Sequence, residues 1–214
     1  MVVAIDGPSG VGKSTVSRAV AAALGVPHLD TGAYYRLATL VTLRSGGNPA
    51  DPAAVLRVLD GIDIDFAGGR LRVDGSDVSA ELRSPEVTAA VSVVAAHTEV
   101  RAAVVELQRD WVARHGGDAV VEGRDIGTVV FPEAPIKVFL TADPDVRARR
   151  RAADPEAEGH TVEGILEQIA RRDQADSSRE TSPLRAADDA VTIDTSELSI
   201  ADVVRQILDL VARA

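Results

Sequence analysis

Val2-Val3-Ala4-Ile5-Asp6, running straight into Gly7-Pro8-Ser9-Gly10-Val11-Gly12-Lys13-Ser14-Thr15, is the stretch that decides the fold. Four consecutive apolar residues without polar alternation suit a strand buried on both faces of a parallel sheet. The glycine-rich segment Gly7 to Ser14 satisfies the Walker A pattern, and it stands after a predicted strand and before a predicted helix, as that pattern requires. Glycines let the backbone curl so that successive N–H groups point inward at phosphate oxygens, while the helix N-terminus adds roughly half a positive charge. The alternative, a glycine-rich turn that binds nothing, needs a chance match expected in roughly one such chain per hundred or fewer. Gly7, Pro8, Ser9, Gly10, Val11, Gly12, Lys13, Ser14 and Thr15 are therefore the expected nucleotide-phosphate loop. Within it Lys13 should hold the β/γ-phosphates and the Ser14 hydroxyl should ligate Mg²⁺.

Outward from the loop, a helix is expected from Lys13 to about Leu24, with Gly25 as its stop and Pro27 beyond. Similar buried runs recur at Ala119 to Val121, Ile136 to Leu140 and Ala190 to Ile193, alternating with helical patterns, and a short strand is expected at Val26 to Leu29. That alternation predicts an α/β fold with a doubly wound parallel sheet. One stretch breaks the rhythm. Ile62 to Phe66, Gly68-Gly69, then Leu71 to Val73 alternates with period two about a glycine pair, the pattern of a half-exposed antiparallel hairpin. Ser84-Pro85 reads as an N-cap and first-turn proline opening a helix through about Ala96. The expected organisation is a core of residues 1–60 and 97–214 carrying a small inserted subdomain at 61–96. Asp154-Pro-Glu-Ala-Glu-Gly159 reads as a mobile connector between two helices, in a lid at about 150–162.

Composition bounds the function classes. With 214 residues, 45% hydrophobic and 26% charged, the chain suffices for one α/β domain with an insertion. It has no cysteine, which excludes disulfides, thiolate zinc sites and a cysteine nucleophile. A net charge of −10 argues against a general binder of nucleic-acid polymers or acidic membranes. No apolar run approaches the roughly 20 residues that cross a bilayer, and no basic segment precedes Val2 as in a signal peptide, so a cytoplasmic protein is expected. His28, His97, His115 and His160 are scattered without ligand spacing. Lys13 is one of only two lysines.

The loop alone does not determine a reaction, because it serves switches, motors and kinases alike. A GTPase switch would need a guanine-reading Asn-Lys-x-Asp, and the sole asparagine lies in Asn48-Pro-Ala-Asp51, without the lysine. Asp65-Phe-Ala-Gly68 matches a switch Asp-x-x-Gly but falls inside the predicted hairpin.

Leu29-Asp30-Thr31-Gly32-Ala33-Tyr34-Tyr35-Arg36 and Glu122-Gly123-Arg124-Asp125-Ile126-Gly127-Thr128-Val129-Val130-Phe131-Pro132 closely resemble two signature segments of bacterial cytidylate kinases. Order and spacing agree across essentially the whole chain, hairpin included, although Glu122 stands where relatives often carry Asp. The resemblance implies a three-layer P-loop fold, an inserted monophosphate-binding subdomain and a lid. It also implies transfer of the γ-phosphoryl group of ATP to CMP or dCMP with Mg²⁺, and a monomer is expected. Other small-acceptor kinases, such as a UMP/CMP or nucleoside kinase, are the alternative enzymes.

The same residues have a physical reading. Thr31, just past a strand and at a helix start, can offer its hydroxyl and nearby N–H groups to an anion; it can equally serve as a plain N-cap. Arg36 lies further along that helix, and in the family the matching residues contact the acceptor phosphate, with Tyr35 assigned to the acceptor pocket. Arg124 and Asp125 come after the strand Ala119 to Val121 at the carboxyl end of a parallel sheet, where open α/β folds place ligands. By resemblance Arg124 binds phosphate while Asp125, Ser92 and Arg101 read the base. Arg147, Arg149, Arg150 and Arg151 form a dense cluster expected to close over ATP and exclude water, with Arg151 a candidate for the transferred phosphoryl. Arg172, Asp176 and Arg179, at i, i+4 and i+7, should share one helix face. The family assigns the arginines to phosphates and the aspartate to the acceptor's sugar hydroxyl.

Overall fold

The computed structural model describes residues 1–60, 62, 64–67, 70–153 and 161–214. In chain order its strands are β1 (Val2–Asp6), β2 (His28–Asp30), β3 (Ile64–Ala67), β4 (Arg70–Val73), β5 (Ser76–Asp77), β6 (Ala119–Gly123), β7 (Ile136–Thr141) and β8 (Val191–Asp194). Its helices are α1 (Lys13–Leu24), α2 (Gly32–Arg44), α3 (Pro52–Leu59), α4 (Pro85–Val94), α5 (Thr98–Arg114), α6 (Pro144–Ala152), α7 (Val162–Ser177) and α8 (Ile200–Val211). The main sheet has the order β2-β6-β1-β7-β8. β1 pairs in parallel with β6, Val3 opposite Val120, and with β7, Ile5 opposite Val138.

Every residue of β6 is buried, as the apolar run Ala119 to Val121 predicts, with Glu122 buried beyond it, so both faces of the sheet centre are covered. β8 pairs only with β7, and of its four residues Ile193 alone is buried. The edge position explains why this run is polar at alternate residues. Two compact units divide the chain, residues 1–28 with 112–214 and residues 29–111. The first is built around Val3, Ile5, Val16, Val20, Val120, Val138, Leu140, Ile193, Val203 and Ile207, which bring α1 and α8 onto the sheet. α1 ends where the sequence predicts, at Gly25 with φ 67°. β2 begins two residues later than predicted, because Pro27 has no N–H for a ladder, although its carbonyl accepts from Val120.

The second unit contains the hairpin. β3 and β4 are antiparallel, Phe66 opposite Leu71, and both side chains are buried. The Trp111 indole donates to the Phe66 carbonyl at 2.9 Å and meets the Phe66 ring edge-on at 6.1 Å. A third strand, β5, extends the hairpin through a turn at Asp74-Gly75, whose φ values of 48° and 79° are those of a tight hairpin connection. That Asp-Gly pair is a local turn signal beyond the one expected at Gly68-Gly69. The Gly68-Gly69 turn and the 154–159 connector lie outside the described residues. Ser84 caps α4, its hydroxyl accepting from the Val87 N–H, with Pro85 at the first turn. The helix closes at Val94, two residues before the predicted end.

Candidate active site

The loop between β1 and α1 has the expected backbone. Gly7, Gly10 and Gly12 take φ values of 147°, 81° and 90°, a region side-chain-bearing residues rarely adopt. At Gly7 a Cβ would also lie 2.3 Å from the Leu140 carbonyl oxygen, so this glycine is required twice over. Lys13 is buried, and its Nζ donates to the Pro8 carbonyl at 2.6 Å. Burial holds the ammonium well below the ordinary lysine range. Repulsion from Arg124 and Arg172 adds to this, against the opposing pull of Glu122 and Asp6. Two of the candidate arginines thus bear on the loop lysine, and a polyanion there would relieve all three cations at once.

Glu122, at the end of β6, is 2% exposed and joins two partners. Its Oε2 accepts the Ser14 hydroxyl at 3.0 Å, and its Oε1 lies 3.0 Å from His28 Nε2. The sequence motifs single out Glu122 and Ser14, but not the link between them, and they leave out His28. Nothing local could have found that histidine, since it lies 94 residues from its partner.

Asp6 is also absent from the sequence-based candidates, although a carboxylate closing a buried strand at the carboxyl edge of a parallel sheet is a usable signal. Its Oδ1 and Oδ2 accept the N–H groups of Ile126 and Gly127, each at 2.8 Å. The segment it holds carries Arg124 and Asp125 and then winds through a π-helical turn, Ile126–Val130, in which Phe131 N–H reaches the Ile126 carbonyl. Such wide turns mark functional positions more often than chance. Desolvation raises the Asp6 carboxyl to about 6, against the two N–H donors and Lys13, with Asp125 adding repulsion. The folded value lies above the unfolded value of 3.8, so the contribution to stability is fully present below about pH 4 and is lost as pH rises through 6. The stability difference between the wild type and Asp6→Asn should therefore shift by up to about 3 kcal/mol, against the wild type, between pH 4 and pH 7. Chemical denaturation across that range reads it, and a pH-independent difference refutes the assignment.

Asp176 on α7 is 2% exposed and accepts Arg124 Nε on Oδ2 at 3.0 Å, while Arg179 pairs with Oδ1. The expectation that Arg172, Asp176 and Arg179 share one helix face needs correcting for Arg179. α7 ends at Ser177, and Ser178 closes it by donating to the Gln174 carbonyl. Arg179 reaches Asp176 from beyond the helix. The α6 cluster is likewise not an unopposed cationic face. Arg147 is buried, with Nε on the Ser9 carbonyl at 2.7 Å and a terminal nitrogen on Asp173. Arg150 donates to Thr195, Arg149 is exposed, and Arg151 is half-buried at the last turn. Beside α6 lies a cavity of about 620 Å³, lined by Thr141, Asp143, Asp145, Arg149, Asp194 and Ser196.

In the second unit, Thr31 occupies the N-cap position of α2 and is buried, but its side chain makes no capping bond. Asp30 takes that part, its Oδ1 accepting from the Gly32 N–H at 3.0 Å. Arg36 donates to the Leu82 carbonyl at 2.9 Å and to Thr88 at 3.0 Å. The Arg101 guanidinium stands 5.1 Å from the centre of the Tyr35 ring and donates to the Ala95 carbonyl. This brings two of the acceptor candidates into direct contact. Ser92 is half-buried on α4.

Mg²⁺ takes hard oxygen donors, keeps several waters and rests on one or two carboxylates plus substrate phosphates. The Ser14 hydroxyl backed by the Glu122 carboxylate fits that chemistry. Among the described residues, no three His, Asp or Glu side chains form a self-sufficient cage.

Residues 3–213 match the family model described as cytidylate kinase. The chain is 49% identical over 213 residues to the cytidylate kinase of Mycobacterium leprae (strain Br4923), covering 99% of this chain and 95% of that protein. It is 48% identical over 215 residues to the cytidylate kinase of Streptomyces avermitilis, covering 99% and 92%. Among solved structures, a shikimate kinase from Bacteroides thetaiotaomicron superposes with a TM-score of 0.50 at 17% identity, covering 99% of this chain and 98% of that one. An unliganded sugar kinase from Janibacter sp. HTCC2649 gives 0.51 at 15%, covering 100% and 95%. These two show the fold alone.

Proposed function

We infer from the cytidylate kinase family, to which the chain belongs, that this protein transfers the γ-phosphoryl group of ATP to CMP or dCMP, giving ADP and CDP or dCDP. The observation that carries the mechanism is the glycine-rich loop with Lys13 buried on the Pro8 carbonyl, next to the paired Ser14 and Glu122. In the transfer an acceptor phosphate oxygen forms a bond to the γ-phosphorus while the bond to the β–γ bridging oxygen breaks, and ADP leaves with the electron pair. Charge spreads over the equatorial oxygens, so the work of the protein is positioning and cationic stabilisation, with no covalent enzyme intermediate.

Lys13 leaves the Pro8 carbonyl for the β/γ-phosphates, and Arg124, Arg172 and Arg151 meet the growing charge. Backbone N–H groups of the loop Gly7 to Thr15, Pro8 excepted, cradle the donor's phosphates. Bound Mg²⁺ would supply Lewis-acid neutralisation of the phosphates, held by Ser14 with Glu122 orienting the hydroxyl.

The acceptor reading assigns Thr31, Arg36 and Arg124 to the monophosphate and Asp176 and Arg179 to the sugar and phosphate. Asp125, Ser92, Arg101 and Tyr35 are assigned to the base. The contact of Arg101 with Tyr35, and the burial of Asp125, support ordered rather than solvated side chains. Residues 61–96 are proposed as the monophosphate-binding subdomain and 150–162 as the lid. A monomeric, cytoplasmic enzyme without nucleic-acid or membrane partners completes the proposal; among the described residues no single helix is long and apolar enough to cross a membrane.

A site that satisfies a 4-amino group leaves buried acceptors unpaired when offered a 4-keto base. In a coupled ADP-release assay, CMP and dCMP should be turned over, with UMP at least about tenfold poorer in kcat/KM. Turnover of AMP, GMP or shikimate without CMP would sink the assignment, and GTP binding without any acceptor would indicate a switch.

A further inference from the structure

α6 sends two arginines, one helical turn apart, toward the phosphate loop. Arg147, 6% exposed, donates from Nε to the Ser9 carbonyl at 2.7 Å and is held from behind by Asp173 on α7. Arg150 donates from Nη1 to the Thr195 hydroxyl at 2.9 Å and from Nη2 to the Thr195 carbonyl at 2.7 Å. Thr195, 2% exposed just past β8, has its hydroxyl 3.1 Å from both the Val11 and the Thr141 carbonyls. The Thr141 carbonyl is already met by the Thr195 backbone N–H at 2.8 Å. A hydroxyl carries one proton, so Val11 is the acceptor with most to gain from it.

A trans peptide unit is planar, with its C=O and N–H directed to opposite sides. Holding the Ser9 carbonyl therefore sets the direction of the Gly10 N–H, and holding the Val11 carbonyl sets that of Gly12. These two glycines, at φ 81° and 90°, have no side chain of their own to resist rotation of the adjoining peptide planes. α6 also packs closely here, since a Cβ on Gly10 would come within 3.0 Å of the Arg147 carbonyl oxygen.

We propose that Arg147 and Thr195, the latter backed by Arg150, are positioning residues that fix the peptide planes 9–10 and 11–12 and so preorganise the loop for the donor's phosphates. The proposal rests on reading the loop as the donor-phosphate site. It gives two of the α6 arginines a task in the loop rather than at the transferred group. Preorganised N–H donors strengthen anion binding because no orientation has to be found on binding.

Thr195→Val keeps the shape and removes the hydroxyl, and Thr195→Ser restores it. By isothermal titration of ADP into the full chain, Thr195→Val should raise Kd about tenfold and Thr195→Ser should recover most of that affinity. The KM for ATP should rise with Kd while the KM for CMP stays within about twofold, a split that general loosening of the fold would not give. If Thr195→Val does not fold, as judged by circular dichroism, Arg147→Lys is read in the same way, because it cannot reproduce the paired Nε and terminal donors. An unchanged ADP Kd in the folded variant, or KM values for ATP and CMP rising together, overturns the proposal. A wild type that binds ADP but does not phosphorylate CMP refutes the acceptor reading, and the ADP titration still decides the clamp.

Discussion

Lys13→Ala is expected to lower kcat by roughly three orders of magnitude or more while leaving the fold intact. The ammonium is buried and held by the Pro8 carbonyl, and burial with repulsion from Arg124 and Arg172 disfavours its charge against the pull of Glu122 and Asp6. Such a group contributes little to stability, and its removal relieves repulsion as well as deleting a hydrogen bond. Its value appears only with the polyanionic donor and rises as charge develops on the transferred group, which is why the loss should fall on kcat more than on the KM for CMP. Steady-state rates beside an unfolding curve test both halves of the expectation. A variant with near-normal turnover would exclude the lysine from transition-state stabilisation; one that unfolds would show instead that the Pro8 bond holds the loop together.

The contrast between Lys13 and Thr195 shows what local sequence conveys. Lys13 belongs to a contiguous pattern whose spacing carries its own geometry, and β1, the loop and α1 stand where that pattern requires. Thr195 takes its part only because the sheet order sets β8 beside β7, and its partner Val11 lies 184 residues away. His28 is legible for the same reason only in hindsight, through its bond to Glu122, 94 residues away, whereas Asp6 carries a signal in its place at the end of β1 although its partners Ile126 and Gly127 do not. Periodicity identified the hairpin, because one face of β4 buries Leu71 and Val73 while Arg70 and Arg72 stay outside. It misjudged Arg179, since a face drawn from i, i+4 and i+7 assumes that the helix continues, and Ser177-Ser178 ends it. The arginine cluster of α6 reads as a solvated or ligand-seeking face because its acceptors are the Ser9 and Thr195 carbonyls, which leave no trace in side-chain patterns, and the side chains of Asp173 and Thr195, which lie far along the chain.

Arg124→Met should lower kcat/KM for CMP by about a thousandfold, with ADP affinity changed no more than a few-fold. The side chain stands at the carboxyl end of β6, donates to Asp176 at 3.0 Å, and lies close enough to Lys13 to depress its protonation. Removing it deletes one cation facing the reaction and simultaneously relieves Lys13, so donor binding loses little. The structural cost is separable. Asp176 keeps Arg179 as a partner, and the loss of one bond to a buried carboxylate should destabilise the fold by about 1–3 kcal/mol. Asp176→Asn provides the control, since it weakens the same pair while leaving the Arg124 charge free for phosphate. If Arg124 acts only by orienting Asp176, both substitutions should impair CMP turnover alike and the double variant should add nothing further. If it binds the acceptor phosphate, Arg124→Met should be far the more damaging of the two, because the charge that meets the phosphate disappears only there.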